Sequence, residues 1–588
     1  MEPQPHSPDR RPPAGGHGKP PLISDADGAR LIKAAGTLQT GPGGEYAKYN
    51  PRKNFAFFDP PKDVRGAGLM LIAESAQNDR DPKALHQYLV RRQIRFTICF
   101  VSQHLVDSIY DTRRTGTPLV GDAAASGPEG QVLNWIALAA SESVSDIHVS
   151  TEGKNTVVEM RIDGLLYRKL EIGTEQAKSL MAVAFTMCDD KSDPSYVAAA
   201  RHGGVITRRW KLPDNVSGVR CSWTPLTSSG RYLVMRLLYN HALDGQRLSD
   251  LGYLREQERL MALTRSTPNG MIVFSGPVGS GKSTAIALSL LEIRRESHGT
   301  LSIASLEEPV ELKLPGVKQQ VINNLSNGMT REEQMIDSLK NALRQDQNVL
   351  FIGETRDAET GNLGLHAARS GLQVWTSTHA NFADQVPQKM RAMGMSEGDI
   401  YDSSVFLGYV NQRLVRRLCP HCRVSLPVAL RRAEMDIDRG LAERIQRVLG
   451  DHSLAHAYAP GNDPRCEHCS GRGYKGRTAI TEVIQPTEAY MQHYVGAISS
   501  KRARDHWLAE MDGISMMTHG LVNVLTGITS PMEVERLLGQ IQLDVAHERL
   551  ARIVDEEMRS RSEEKIAVAP LKPASGMAPG RTPQLVKG

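Results

Sequence analysis

The chain has 588 residues, with 71 Lys and Arg against 66 Asp and Glu, a formal net charge of +5. That length predicts several domains, each able to bury a core, and the charge is too mild over such a length to argue by itself for nucleic-acid binding. No apolar run approaches the ~18–20 residues that span a bilayer, the Pro/Gly-rich opening Met1–Pro21 has no apolar leader, and the seven cysteines read as metal ligands or buried thiols rather than disulfides. The expectation is a cytoplasmic protein whose membrane contact, if it has any, is peripheral.

In chain order, residues 1–22 are expected to be disordered, since Pro, Gly and charge leave little to bury. Residues 23–111 mix helical and alternating spacing and are expected to form an N-terminal domain. Residues 112–130, with Arg-Arg-Thr-Gly-Thr-Pro and Ala-Ala-Ala-Ser-Gly-Pro, read as a linker. Residues 131–240 read as an α+β domain: an apolar helix over Val132–Ala140, alternating strands at Ser145–Val149 and Val157–Ile162, and a hairpin turn at Asp163-Gly164. From 245 to 415 strands alternate with helical patterns, which implies a largely parallel, doubly wound α/β sheet. Residues 416–480 read as a metal-binding element, 481–565 as helices and 566–588 as a disordered tail.

The α/β block carries Gly276-Pro277-Val278-Gly279-Ser280-Gly281-Lys282-Ser283, placed between the apolar run Met271–Phe274 and a helix that opens at Thr284. Strand, glycine loop and helix in that order make a phosphate-binding loop. Its backbone N–H groups and the helix dipole face phosphate oxygens, Lys282 is placed to reach the β- and γ-phosphates, and the Ser283 hydroxyl to ligate Mg²⁺. The cofactor expectation is therefore ATP with Mg²⁺. Hydrolysis also needs acids, and two strand-like runs end in them: Leu301–Leu306 runs into Glu307-Glu308-Pro309-Val310-Glu311, and Asn348–Ile352 into Gly353-Glu354. At the second, glycine occupies the usual aspartate position and leaves Glu354 as the acid.

Two Cys-x-x-Cys knuckles, Cys419–Cys422 and Cys466–Cys469, point to a four-thiolate structural Zn²⁺ site. Cys99, Cys188 and Cys221 lack partner spacing and read as buried thiols.

The acidic box Glu307–Glu311, the segment Gly353-Glu354-Thr355-Arg356-Asp357-Ala358-Glu359-Thr360 and the box Ser370–Asn381 together resemble the type II secretion and type IV pilus assembly ATPases, over roughly Gln131 to Leu538. The resemblance implies a RecA-like P-loop core preceded by an α+β domain, acting as a homo-hexamer that couples ATP hydrolysis to domain rotation. It implies that Glu311 polarises the attacking water, Glu354 acts through Mg²⁺ and its waters, and His379 senses the γ-phosphate. It also implies that Arg220 and Arg236, with Arg231 behind them, neutralise phosphoryl charge. The expected partners are an inner-membrane platform protein, which residues 23–111 would dock, and other pilus or secretion components at the cytoplasmic face of the inner membrane; no direct nucleic-acid contact is expected. The four cysteines resemble the element of the assembly branch. Some positions depart from the family: Glu308 replaces an aspartate and Leu372 the first histidine of its box, and substitutions such as Trp375 and Leu372 suggest a divergent branch such as one serving conjugative pili.

Two other readings stay open at this stage. A conjugative nucleic-acid motor would need basic, aromatic-bearing loops, and among the basic pairs only Arg208-Arg209 has an adjacent aromatic, Trp210. A scaffold that binds ATP without turnover would not require Lys282, Glu311 and Glu354 together.

Overall fold

The computed structural model describes residues 31, 38–40, 46, 54–59, 68–76, 79–92, 94–103, 105–106 and 127–568, apart from 153–154, 192, 228–229, 241–242, 244, 309, 323–328, 432–438, 451, 453, 462 and 496–499. The expected disordered N-terminus, residues 112–126 of the expected linker and the tail from 569 lie outside the described residues. The described chain divides into two compact units, the second beginning at Leu238 and also taking in the short segments Arg161–Leu165 and Asp214–Ser217.

The first unit opens with a three-stranded sheet of β1 (Phe55–Phe58), β2 (Gly68–Ala73) and β3 (Phe96–Val101) in that order, β2 and β3 parallel. The helix Arg80–Arg91 lays Leu85 and Leu89 on this sheet, in a core with Phe55, Phe57 and Leu71. A second sheet takes β4 (Asp146–Glu152), β5 (Asn155–Ile162), β6 (Leu165–Gly173), β7 (Asp190–Lys191), β8 (His202–Thr207), β9 (Val216–Pro225) and β10 (Arg231–Tyr239) in the order β6-β5-β4-β10-β9-β8-β7. The helix expected over Val132–Ala140 runs from Pro128 to Ser141, so it starts within the stretch expected as linker. The Asp163-Gly164 turn has positive φ at both residues (49° and 88°), as a two-residue hairpin loop requires.

The second unit is built on a seven-stranded sheet of β11 (Gly270–Ser275), β12 (Ile303–Glu307), β13 (Lys318–Val321), β14 (Val349–Ile352), β15 (Gln373–Ser377), β16 (Phe406–Leu418) and β19 (Tyr474–Ile484), ordered β13-β12-β14-β15-β11-β16-β19. Every neighbouring pair is parallel except β16 with β19. Alternate residues of the fully buried β11 serve different cores: Met271 and Val273 pack with Leu306, Leu350 and Leu365, whereas Ile272 and Phe274 pack with Ile286, Leu290 and Trp375. A strand covered on both faces has no polar side to show, hence its unbroken apolar run.

The last strand, β19, comes from beyond the cysteines, so residues 416–480 divide between this sheet and the chain joining the two knuckles. That connection includes β17 (Val424–Ser425), β18 (Tyr458–Ala459) and the helix Arg439–Leu449. Its Leu441 and Ile445 share a core with Leu521, Val522, Val534 and Leu550 of the C-terminal helices. Among the described residues, no helix is long and apolar enough to cross a membrane.

Candidate active site

Since β11 runs between β15 and β16, with Phe274 opposite Ser377 and Ser275 opposite Asn411, the loop leaving β11 emerges beside the ends of both. Gly276 and Gly281 have φ of 139° and 84°, and a Cβ on either would lie 2.4 Å from the Gln412 carbonyl or 2.8 Å from its Nε2. Gln412 donates from that Nε2 to the Ser280 carbonyl (2.7 Å) and accepts from the Tyr253 hydroxyl (2.8 Å). The loop thus lies directly on β16, with glycine required at both points of approach. Val278 stands at its tip, 72% exposed, and the Ser280 hydroxyl is buried without a partner among the described residues. Lys282, Ser283 and Thr284 open the helix Lys282–Glu296.

The Lys282 ammonium folds back to donate to the carbonyls of Gly276 (2.8 Å) and Pro277 (3.1 Å). Burial pulls its pKa below the ordinary lysine value, opposed by the carboxylates of Glu354 and Glu311. His379, just past β15, places Nδ1 3.0 Å from the Gly276 carbonyl and Nε2 3.0 Å from Glu354 Oε1. The other oxygen of Glu354 accepts from Arg356 Nε and Nη2 at 2.8 and 2.7 Å. Lys282, His379 and Glu354 therefore converge on one end of the loop. A cavity of about 470 Å³ opens there, lined among others by Pro277, His379, Asn381 and Lys389.

The acids of the first box face different ways. Glu307 turns into the sheet and accepts from Ser305 Oγ (2.6 Å) and Gln319 Nε2 (3.0 Å); burial raises its pKa. Glu308 approaches Arg356 at 3.7 Å. Glu311 is exposed and acts on Lys282 through its charge. The unusual Gly353 has a steric cause: a Cβ there would lie 3.1 Å from the Leu306 carbonyl and 3.4 Å from the Glu307 Cα. A side chain at that position would press on the β12 backbone, and the carboxylate comes from the next residue.

Leu372 precedes β15 at its opposite end, about 16 Å of strand from Ser377 at ~3.3 Å per residue. It packs against the core and its carbonyl accepts from Gly270 N, so that position is remote from the phosphate loop. Trp375 fills the core beside Phe274, with ring centroids 5.9 Å apart.

Arg220 and Arg236 belong to the first unit, on β9 and β10. Both are exposed, and Arg236 Nε donates to the buried Asp146 at 2.8 Å. Arg231 lies over the Tyr196 ring at 5.8 Å. Trp210, the aromatic of the nucleic-acid reading, donates its indole N–H to the Met187 carbonyl (2.8 Å), and Arg209 pairs with Asp189 at 3.3 Å.

In the second unit the sulfurs of Cys419, Cys422, Cys466 and Cys469 all lie within 4.8 Å of one another. The contacts Cys419–Cys466 (3.7 Å) and Cys422–Cys469 (3.6 Å) are far longer than a disulfide. One knuckle follows Leu418 at the end of β16, the other precedes Tyr474 at the start of β19, and these two residues are paired across the strands. Gly473 N donates to Cys469 Sγ at 3.3 Å. Cys99, Cys188 and Cys221 are free and buried.

Three residues that motif reading left without a role hold this site: Arg356 on Glu354, Gln412 under the loop, and Asn411, whose Nδ2 donates to Ser275 Oγ (2.7 Å) and the Ala380 carbonyl (2.9 Å). For Gln412 and Asn411 the signal was the polar run Asn411-Gln412-Arg413 following the apolar start of β16; Arg356 had none.

Comparison with known proteins gives the family of the sequence. The profile of the type II/IV secretion system protein family matches residues 124–536. Type II secretion system protein E of Aeromonas hydrophila is 30% identical over 418 residues, covering 71% of this chain and 77% of its own. The type IV pilus assembly ATPase PilB of Thermus thermophilus is 29% identical over 67% of this chain and 41% of its own. Among solved structures, the ATPase DotB of Legionella pneumophila aligns with a TM-score of 0.48 and 15% identity, over 69% of this chain and 95% of that one. With most of its length matched in order, the chain belongs to the type II/IV secretion system protein family.

Proposed function

We propose that this chain is an ATP-hydrolysing motor, a homo-hexamer that powers assembly of a pilus or secretion pseudopilus by rotating its domains on hydrolysis. The observation that carries the proposal is the convergence of Lys282, His379 and Glu354 on the Gly276 end of the phosphate loop. The Lys282 ammonium, now on two loop carbonyls, transfers to the β- and γ-phosphate oxygens of ATP. His379, within reach of the same end, reads whether the γ-phosphate is present. Glu311 orients the attacking water, and the exposed Arg220 and Arg236 answer phosphoryl charge. Mg²⁺, when bound, neutralises charge between the β- and γ-phosphates; Ser283 and Glu354 are the residues to hold it and its waters.

The cysteine cluster suits Zn²⁺: a tetrahedron with Zn–S of ~2.3 Å has edges of about 3.8 Å, and two of the sulfur pairs are 3.6 and 3.7 Å apart with all four sulfurs within 4.8 Å. The metal would pin the ends of β16 and β19. The motor works at the cytoplasmic face of the inner membrane, with residues 23–111 docking a platform protein.

The test is steady-state phosphate release by the full chain. Turnover lost in both Lys282→Ala and Glu311→Gln supports the reading. Nucleotide binding with no release by the wild type replaces it with a scaffold, and DNA-stimulated release with a steep salt dependence replaces it with a nucleic-acid motor.

A further inference from the structure

Behind His379, each residue of the segment Ala380–Asp384 is gripped by a side chain from β16, β19 or the C-terminal region. The Ala380 carbonyl accepts from Asn411 Nδ2 (2.9 Å) and the Asn381 carbonyl from Arg413 Nη2 (3.3 Å). The Phe382 ring lies between the guanidiniums of Arg504 (5.0 Å) and Arg413 (5.9 Å). Ala383 N donates to Glu482 Oε2 at 3.0 Å. The Asp384 carboxylate accepts from Arg504 Nη1 (2.9 Å), and its carbonyl from the Tyr494 hydroxyl (2.5 Å).

Glu482 and Arg504 are the node of this arrangement. Glu482, on β19, is wholly buried; its other oxygen accepts from Arg504 Nη2 (3.0 Å) and Met516 N (3.3 Å). Arg504 sits on the helix Lys501–Glu510. A turn on the way to the next helix needs no buried charges, and apolar packing would hold it as well or better. What a hydrogen-bonded ionic node adds is direction, because its bonds close in one geometry. The residue at the free end of this strap is His379, in contact with both the phosphate loop and Glu354.

We propose that Arg504, through Glu482 and Asp384, is a positioning residue for His379: the C-terminal helices hold the strap that aims the imidazole at the γ-phosphate position. This rests on the phosphate-loop reading of the proposed function. It makes recognition of the γ-phosphate depend on the helix Lys501–Glu510, which carries no phosphate-binding residue itself.

The test compares affinities of the full chain for ADP and for ATPγS, which needs no turnover. Wild type is expected to prefer ATPγS. His379→Ala and Arg504→Met should each cut that preference by about tenfold, roughly 1.4 kcal/mol, with ADP affinity changed far less than ATPγS affinity. The double variant should fall no further than His379→Ala alone, since residues acting through one contact are not additive, and Arg504→Lys should restore part of the preference. A wild-type preference in Arg504→Met, or effects that multiply in the double variant, would overturn the proposal. Should Arg504→Met fail to fold, Asn411→Ala, which frees the Ala380 carbonyl, is read in the same way. Wild type that binds neither nucleotide would remove the phosphate-loop reading beneath it.

Discussion

His379 and Glu354 meet at 3.0 Å, Nε2 to Oε1, while the other ring nitrogen of His379 faces the Gly276 carbonyl at the same distance. Both neighbours are acceptors, so both contacts are hydrogen bonds only when each nitrogen carries a proton. One imidazole thus ties the phosphate loop to the acid after β14.

Glu354→Gln keeps the shape of that contact and removes the charge. Turnover should fall by about 10²–10³-fold, the range for losing one preorganised electrostatic group, with ATP affinity changed only a few-fold. Phosphate release together with equilibrium nucleotide binding checks both halves. Equal losses in binding and turnover would make Glu354 a binding residue.

Gly353→Ala tests the steric account of the missing aspartate. With the new Cβ 3.1 Å from the Leu306 carbonyl, backbone has to shift. The expected cost is about 1–3 kcal/mol, as for other overpacked sites, read as a lower urea midpoint at unchanged slope. A midpoint equal to wild type would mean that the site has slack, and another cause for the glycine would be needed.

Metal analysis of the purified chain should find about one zinc per four-cysteine cluster. Cys469→Ser should reduce that content, and a strong chelator should lower the melting temperature of the wild type. Because the cluster joins the paired ends of β16 and β19, its loss frays the strands on which the phosphate loop rests. Zinc-free protein with an unchanged melting temperature would leave the thiols without a structural metal role.

Stability should fall in mild acid because of His519. Its Nδ1 accepts from Thr481 N (3.0 Å) and its Nε2 donates to the Gly252 carbonyl (3.0 Å), which fixes a neutral tautomer; burial lowers its pKa from 6.5 to about 4. The folded pKa lies below the unfolded one, so the contribution is complete above about pH 6.5 and is lost as pH falls through about 4. It amounts to roughly 3 kcal/mol at ~1.4 kcal/mol per pKa unit. Urea unfolding across that window should show the slope in wild type and a flatter one in His519→Gln. Equal slopes would assign the acid sensitivity to other groups.

The legible parts of the site were those whose chemistry is written in consecutive residues. Gly276–Ser283 declares a phosphate loop because glycines, lysine and serine must follow one another for the backbone to wrap a phosphate. The knuckles declare a metal site for a similar reason. Less legible was anything set by contact across the sheet. Arg356 is two residues from Glu354 and still gave no sign that it would bind that carboxylate. That Leu372, standing where the family has the first histidine of its box, lies far from the phosphate loop is shown only by the direction of β15. The cysteine element looked separate from the ATPase sheet, although β19, which follows its second knuckle, completes that sheet.

By itself, the sequence determined that a phosphate loop sits between a buried strand and a helix, that acids follow two strand-like runs, and that four thiols stand ready for a metal. Those are local matters, decided by backbone geometry and spacing. Only the tertiary structure decided which acid meets which base, because that depends on strand order. Placing β15 between β11 and β14 brings His379 to both Gly276 and Glu354, and the antiparallel return of β19 brings Glu482 beneath the segment that holds it.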